Sequence, residues 1–274
     1  MAKSALLKSS LAKKYWMALT GLFLCLFLVG HLAGNLQLIF GDALQFNQYA
    51  LFMTSNPAVK LLSYVTYFSI VFHAVDGILL TIQNRKARPI GYAYERQEAN
   101  TNFASRNMAV LGTLILVFIV THMVNFWARM HFDEKMPLQT TKIQVQPGIP
   151  AQDFYITQSG GYIPVGTVDI KNRTEFYDPN YKVKVADGYK DLYKITVDFF
   201  TDEQYGLIFT LLYVISMAVL AFHLWHGFAS AFQSMGINNR KYNPLIRTFS
   251  KWFAVVVPVL FAIIPLYIRF FLKA

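Results

Sequence analysis

Residues 204–239, "QYGLIFTLLYVISMAVLAFHLWHGFASAFQSMGINN", contain no charged side chain. An apolar run of about 20 residues is long enough to cross a bilayer as a helix. Soluble helices rarely lack charge on every face over such a length. The run therefore predicts a transmembrane helix, and it raises the question of why that helix carries two imidazoles, His223 and His226.

Four other runs share this composition. Residues 16–41, 107–128 and 252–268 contain no charged side chain, and residues 61–83 contain one, Asp76. The chain is 55% hydrophobic, and its apolar residues are concentrated in these runs rather than spread as in a soluble core. We therefore expect an all-α integral membrane protein, a single membrane domain over residues 1–274. Its five transmembrane helices, called helices I to V, are expected at about 15–41, 57–84, 106–131, 202–235 and 250–272.

The net charge of +10 is placed unevenly along the chain. Basic residues cluster before helix I, between helices II and III, and between helices IV and V, whereas residues 132–203 hold 11 acidic and 8 basic residues. By the positive-inside rule, the three basic segments face the cytoplasm. We therefore expect a cytoplasmic N-terminus and an extracytoplasmic C-terminus. This placement favours a role of the charge in membrane topology over binding of nucleic acid.

Residues 132–200 are the one soluble-like segment, and we expect them to form an extracytoplasmic insertion between helices III and IV. Within it, "YKVKVADGYKDLY" (181–193) alternates and contains Asp-Gly, which predicts a small hairpin. The stretch "DLYKITVDFF" (191–200) predicts a short interfacial helix. Thr201 and Gln204 then resemble a capping box that opens helix IV.

Four of the five helices carry histidine within their apolar runs. These residues are His31 on helix I, His73 on II, His122 on III, and His223 with His226 on IV. Ionisable side chains inside a membrane are costly and usually functional. One such residue alone would equally suit a satisfied interhelical hydrogen bond, but histidines on four helices favour a shared function.

The histidines fall into two pairs by depth. At about 1.5 Å per residue, His31 and His122 lie about 22 Å from the cytoplasmic ends of their runs, and His73 and His223 lie about 15 Å from theirs. A bis-histidine haem needs two imidazoles from opposing elements at the same depth. The count therefore predicts two b-type haems, between helices I and III and between helices II and IV. The sequence contains no CxxCH motif, which excludes covalent c-type attachment.

Six stretches of the chain are similar to a known family. They are "TGLFLCLFLVGHLAGNL" on helix I, "FNQYALF" after it, "HAVDGI" on II, "THMVNFW" on III, "DLYKITVDFF" before IV and "FHLWHGFASAFQSMG" on IV. Together they resemble the five-helix, di-haem cytochrome b membrane anchor of succinate dehydrogenase/fumarate reductase (complex II), of the b558 type. The resemblance implies axial ligands at His31 and His122 for an outer haem and at His73 and His223 for an inner haem. Residues 132–190 depart from the family, because they are longer than its usual III–IV connection.

The resemblance also implies cofactors and partners. It implies a multi-pass subunit of the bacterial cytoplasmic membrane that contacts membrane lipid and anchors a flavoprotein subunit and an iron–sulfur subunit through its basic inner surface. Electrons from succinate would pass through two haem b groups to a membrane quinone, menaquinone being the expected one. Succinate chemistry itself is not expected on this chain, since it has no nucleotide-binding or Cys-rich iron–sulfur motif. Quinone reduction is expected on this subunit.

The second imidazole of helix IV needs a separate interpretation. On a helix, His226 lies about 60° round and 4.5 Å along from His223, so one haem cannot take both as axial ligands. The depth match favours His223. The resemblance favours it too, because it implies a ligand four residues before a glycine, as His223 is before Gly227. We expect His226 to donate a hydrogen bond to a propionate or a quinone head group. Donors for the outer haem and a quinone are expected at the outer ends of helices I and III. They are Asn35, Gln37, Asn125, Trp127, Arg129 and His131, for which interfacial anchoring is an equal alternative.

Two other functions stay open at this point. One is a di-haem cytochrome b that serves a hydrogenase or a formate dehydrogenase. The other is a haem-free transporter or scaffold whose histidines relay protons or bind a metal ion. Asp76, one turn beyond His73, either bonds a neighbouring helix or takes up protons.

Overall fold

The structure is a computed structural model that describes residues 10–87, 89–90 and 103–272. Within these residues, five helices are long and apolar enough to cross a membrane, as expected. Their bounds are Leu11–Phe40 (helix I), Pro57–Lys86 (II), Met108–Phe132 (III), Gly206–Ser234 (IV) and Asn243–Phe270 (V).

The elements follow one another in a simple order. Helix I comprises α1 (Ser10–Asn35) and α2 (Gln37–Phe40), and α3 (Ala43–Ser55) precedes helix II, which is α4 (Pro57–Lys86). Next come α5 (Phe103–Arg106) and helix III, built from α6 (Met108–His122), a π-helix (Met123–Ala128) and α7 (Arg129–Phe132). Six strands follow: β1 (Thr140–Ile143), β2 (Gln152–Ile156), β3 (Tyr162–Pro164), β4 (Asp169–Lys171), β5 (Glu175–Tyr177) and β6 (Lys184–Asp187). The chain continues with α8 (Leu192–Thr201) and with helices IV and V, which are α9 (Gly206–Ser234) and α10 (Asn243–Phe270).

All five long helices expose large apolar side chains. Leu26, Leu61, Val117, Ile215 and Trp252, one from each helix, are all more than half exposed. Contiguous apolar surface of this kind is unfavourable in water, whereas the hydrocarbon of a bilayer accommodates it. The chain is therefore a multi-pass, all-α membrane protein.

Helix ends follow local capping chemistry. Helix II begins at Pro57, and the side chain of Asn56 accepts a hydrogen bond from the backbone N–H of Ala58 at 2.9 Å. Helix V begins at Asn243, seven residues before the expected start at 250. Pro244 in its first turn has no N–H to leave unsatisfied, which allows the helix to begin there. Arg247 and Lys251 therefore lie within helix V instead of in a connecting loop.

The expected capping box at Thr201 is wrong. Thr201 is the last residue of α8, and its hydroxyl donates to the carbonyl of Val197 at 2.8 Å. The carboxylate of Asp202 instead accepts hydrogen bonds from the backbone N–H groups of Gln204 and Tyr205, at 3.0 and 2.7 Å. These bonds close the turn at residues 203–205, directly before helix IV begins at Gly206.

The chain divides into two compact units. Unit 1 consists of Met1–Asn35, Lys60–Val120 and Thr210–Leu266. Its core includes Cys25 of helix I, Leu224 and Phe228 of helix IV, and Ala254 of helix V. Unit 2 consists of Leu36–Val59, Thr121–Phe209 and Tyr267–Ala274, so it holds all the strands together with α3 and α8.

Unit 2 contains two three-stranded antiparallel sheets, in the orders β1-β2-β3 and β4-β5-β6. The hairpin expected within residues 181–193 is wrong, because β6 pairs with the preceding β5. The turn between them is closed at Asp178, whose side chain accepts two following backbone N–H groups at 2.8 and 2.9 Å. Gly188 is not a turn residue. A Cβ there would lie 2.6 Å from Cζ of Phe176, so glycine permits this ring to pack against the backbone.

Basic side chains bind the carbonyls at two helix ends within unit 2. Lys190 donates to the carbonyl of Met130, and Arg173 donates to that of His131, both at the end of helix III. Arg269 of helix V donates to the carbonyls of Thr201 and Asp202 at the end of α8, at 3.1 and 3.0 Å. The last carbonyls of a helix lack intrahelical partners and carry partial negative charge, so cations stabilise them.

A buried polar contact joins α3 to α8. Asn47 is 1% exposed and donates to the carboxylate of Asp191 at 2.8 Å. It also accepts the backbone N–H of Tyr193 at 2.9 Å. Asp191 caps α8 by accepting the N–H of Lys194 at 2.9 Å. The start of α8 therefore depends on a side chain that is distant in sequence.

We expect Asn47→Ala to destabilise unit 2 by about 2 kcal/mol, because it leaves a buried carboxylate with one donor fewer. The effect should appear as faster proteolysis of the segment 132–200 in mild detergent. Gln48→Ala, at the exposed neighbouring position, is the matched control and should behave as the parent chain. Equal proteolysis rates for the two variants would contradict the importance of this contact.

The expected orientation can be tested by cysteine labelling in a Cys25→Ala background. Tyr181 in the β5–β6 turn is 79% exposed, and Ile90 after helix II is 88% exposed. With the II–III connection in the cytoplasm, a membrane-impermeant maleimide added to intact cells should label Tyr181→Cys but not Ile90→Cys. Labelling of Ile90→Cys but not of Tyr181→Cys would show that the orientation is the reverse of the expected one.

Candidate functional site

The imidazoles of helices II and IV lie next to each other in unit 1. The ring centroids of His73 and His223 are 6.2 Å apart, with an angle of 68° between the ring planes. A metal–imidazole bond is about 2 Å long and the ring centre lies about 1 Å beyond the bonded nitrogen, so two imidazoles on opposite sides of one ion would place their ring centres about 6 Å apart. The separation therefore fits two imidazoles that would hold one metal ion between them.

Helix I fixes the ring of His73. Its Nδ1 lies 3.2 Å from the carbonyl oxygen of Met17 and 3.3 Å from the hydroxyl of Thr20. A carbonyl only accepts hydrogen bonds, so Nδ1 carries the proton and Nε2 keeps its lone pair. This is the tautomer of a metal ligand whose second nitrogen is held by an outer partner. Thr20 donates its own proton to the carbonyl of Trp16 at 2.7 Å and is thus free to accept.

Gly21 allows helix I to approach this imidazole. A Cβ at position 21 would lie 3.1 Å from Cε1 of His73, which is closer than most side-chain contacts. Thr20 and Gly21 were not among the expected site residues. The pair of small residues in the inner half of helix I was the sequence signal that could have indicated them.

His223 has an unsatisfied nitrogen. Its Nδ1 is buried and has no hydrogen-bond partner among the residues that the structure describes. Buried polar atoms without a partner are uncommon and are found at functional positions more often than elsewhere. A Cβ at Gly112 of helix III would be 3.7 Å from Cε1 of His223, in ordinary contact. Packing therefore holds the ring, and within the described residues its nitrogens form no hydrogen bond with helix III.

His31 lies in unit 1 among aromatic rings. It stacks on Phe27, with centroids 5.2 Å apart and planes at 16°, and its centroid is 5.8 Å from that of Phe261 in helix V. The Nδ2 of Asn35 donates to the carbonyl of His31 at 2.8 Å and lies 3.4 Å from its Nδ1. Asn35, expected as a donor at the outer end of helix I, therefore already contacts the imidazole.

His122 lies in unit 2, at the last position of α6, directly before the π-helix Met123–Ala128. A π-helix inserts an extra residue into the helical turn, which changes the direction of the side chains that follow, and it often occurs at functional positions. The ring of His122 is 5.3 Å from that of Phe126. Because His31 belongs to the other unit, the pairing of His31 with His122 stays a prediction.

Arg129 and His131, expected as donors at the outer end of helix III, contact residues close to them in sequence. Arg129 forms an ion pair with Asp133 at 3.4 Å. His131 stacks on Trp127, with centroids 4.6 Å apart, and its Nδ1 lies 2.8 Å from the carbonyl oxygen of Trp127. Gln37 and Asn125 are half-buried. Their roles as donors to a haem or a quinone stay predictions.

His226 is half-buried and faces a different environment from His223. It lines a cavity of about 340 Å³ together with Arg247 and Lys251 of helix V. Within the described residues, it contacts none of the other candidate ligands closely enough to form a hydrogen bond. Positions three residues apart on a helix differ in direction by about 60°. The two imidazoles therefore point to different surroundings.

The described residues contain no cluster of three or more His, Cys, Asp or Glu side chains that could hold a metal ion. A metal ion between His73 and His223 would thus have to bring its remaining ligands with it, as the iron of a haem does. Comparison with protein-family models, with curated proteins and with solved structures finds no match to this chain.

The contact at Gly21 leads to a prediction. Replacing glycine by alanine inside a helix normally stabilises it by about 0.5–1 kcal/mol. We expect Gly77→Ala, whose Cβ would be 3.9 Å from the nearest atom, to show this gain. Gly21→Ala should lose it, because the added methyl group pushes His73 away. Thermal unfolding in detergent measures both, and equal stabilisation of the two variants would contradict a close approach of helix I to His73.

Proposed function

We propose that this protein is the di-haem cytochrome b membrane subunit of a succinate:quinone oxidoreductase. The observation that carries the proposal is the 6.2 Å separation of the His73 and His223 rings on two membrane helices. The carbonyl of Met17 supports it, because its bond to Nδ1 of His73 leaves Nε2 available as a ligand.

Each haem would be held by two imidazoles. His73 and His223 would hold the inner haem, and His31 and His122 the outer haem. The iron supplies reversible one-electron transfer, with a potential set by its ligands, the hydrogen bonds to them, and burial. On the inner side, Met17 and Thr20 orient His73 and raise the basicity of its ring. The apolar surroundings of His31, formed by Phe27 and Phe261, exclude water from the outer ligand.

The proposed electron acceptor is a membrane quinone, menaquinone. The groups that would hold its carbonyl oxygens are hydrogen-bond donors at the outer ends of helices I and III. Asn35 and Gln37 provide amides there, and Arg129 provides a guanidinium group that is 3.4 Å from Asp133. Quinone carbonyls need donors in an apolar pocket, and these side chains are polar groups at the edge of apolar helices.

The proposed partners are a flavoprotein and an iron–sulfur subunit on the cytoplasmic side. Arg85 and Lys86 end helix II, and Arg240 and Lys241 lie between helices IV and V. These side chains are exposed and would contact an acidic surface. A hydrogenase or formate dehydrogenase would require a similar cytochrome. Affinity purification from the native membrane decides between them, because it names the co-purifying subunits.

The haem assignment predicts a specific loss. The purified chain should show a reduced-minus-oxidised spectrum of b-type haem, and His223→Ala should lose one of two haems because one iron loses an axial ligand. His226→Ala is the matched control on the same helix and should retain both. Haem is measured as the pyridine haemochrome per chain.

Two outcomes would count against this assignment. If the chain shows no b-type spectrum, the cytochrome proposal is wrong, and the haem-free transporter or scaffold becomes the favoured function. If His226→Ala loses a haem while His223→Ala retains both, the ligand on helix IV is His226.

A further inference from the structure

A cavity between helices IV and V is lined by His226 and by two cations of helix V. It belongs to unit 1 and has a volume of about 340 Å³. Its polar lining residues are His226, Ser230 and Gln233 of helix IV and Arg247, Ser250 and Lys251 of helix V. Helix IV contributes positions i, i+4 and i+7, which share one face, and the two cations are one turn apart on helix V. The cavity thus combines two positive charges with several hydrogen-bond donors.

Neither cation has an acidic partner in the part of the chain that the structure describes. Within the described residues, neither Arg247 nor Lys251 forms an ion pair or a hydrogen bond. The hydroxyl of Ser250, by contrast, donates to the carbonyl of Ile246 at 2.6 Å. Two unpaired cations one turn apart repel each other, so an anion between them would be stabilised by both.

The surroundings of the cavity are apolar and aromatic. The ammonium group of Lys251 lies 5.7 Å from the ring centroid of Trp225, which also lines the cavity. Phe222, Phe249 and Trp252 nearby on the two helices are each more than half exposed. Tryptophan is enriched at the level of lipid headgroups, and exposed phenylalanine suits acyl chains. A ligand here would meet cations at one end and apolar surface at the other.

We propose that this cavity binds the phosphate of an anionic phospholipid of the cytoplasmic leaflet. Arg247 and Lys251 contact the phosphate oxygens, and His226 and Gln233 hydrogen-bond the remaining polar part of the headgroup. Basic pockets between membrane helices on the cytoplasmic side suit such headgroups. Free phosphate shares the charge but would not use the exposed aromatic side chains. This site goes beyond the proposed function, and its occupation does not depend on haem.

The test is lipid binding to the purified, delipidated full chain in neutral detergent. Phosphatidylglycerol, phosphatidylcholine and inorganic phosphate are titrated separately, and binding is followed by native mass spectrometry and by the shift of the unfolding temperature. Phosphatidylglycerol should bind and raise the unfolding temperature, because a ligand stabilises the state that binds it. Arg247→Gln/Lys251→Gln should weaken its binding about 25-fold, since each basic side chain that contacts the phosphate contributes roughly a factor of five.

Lys13→Gln/Lys14→Gln is the matched control, because it removes the same charge near the start of helix I, away from this cavity. It should bind phosphatidylglycerol as the parent chain does. Unchanged helical content and an unchanged unfolding temperature without lipid show that each variant is folded. If the double variant does not fold, Arg247→Lys is measured instead. It keeps the charge and should retain part of the affinity for phosphatidylglycerol.

Three results would overturn the proposal. Equal binding of phosphatidylcholine would show that headgroup charge is not recognised. An equal shift with inorganic phosphate would identify a site for a free anion. An equal loss in the control variant would identify a general effect of basic surface. A failure of haem binding would leave each of these comparisons unchanged, so the two proposals fail separately.

Discussion

The structure depends on one constraint: a polar group inside an apolar layer needs its partner within the protein. His73 is the clearest case, since the carbonyl of Met17 and the hydroxyl of Thr20 on helix I both lie within 3.3 Å of its Nδ1. These contacts position helix I against helix II and fix the tautomer of the imidazole. His223 is the exception to this constraint, because its buried Nδ1 has no partner in the described chain. A helix retains such an atom at a cost in stability that a bound group would offset.

The same constraint governs the ends of the helices in unit 2. The last carbonyls of helix III and of α8 have no partners within their own helices, and Lys190, Arg173 and Arg269 donate to them. Two of these cations come from the inserted segment 132–200 and bind helix III. The insertion is therefore bonded to the backbone of a membrane helix, and it is more than a loop between two spans. Its removal would leave carbonyls at that end without donors.

The sequence predicts the parts of this fold that depend on one segment alone. The five membrane helices follow from long runs without charge, and the start of helix II follows from Asn56-Pro57. Strand pairings and helix ends that depend on distant or neighbouring side chains are predicted less well. Asp187-Gly188 has the composition of a turn, but Gly188 lies against Phe176, and the turn is at Asp178. Thr201 has the composition of a helix cap, but its hydroxyl donates to the carbonyl of Val197, and the side chain of Asp202 accepts the backbone N–H groups that follow. In both cases a tertiary contact or a neighbouring side chain outweighs the local preference.

In the candidate site, too, the sequence predicts what one helix determines and does not predict how helices pack against one another. A count of residues places His73 and His223 at one depth, because rise per residue is a property of a single helix. The contacts of His73 with Thr20 and Gly21, and the cavity beside His226, depend on how helices rotate against one another. The two imidazoles of helix IV illustrate why this matters. They are three residues apart, so rotation of the helix decides that His223 faces His73 while His226 faces Arg247 and Lys251. Either face alone would be compatible with the sequence. Since one helix presents both, a change that rotates helix IV would alter the geometry of His223 and the cation-lined cavity together, although the groups proposed for the two sites are unrelated.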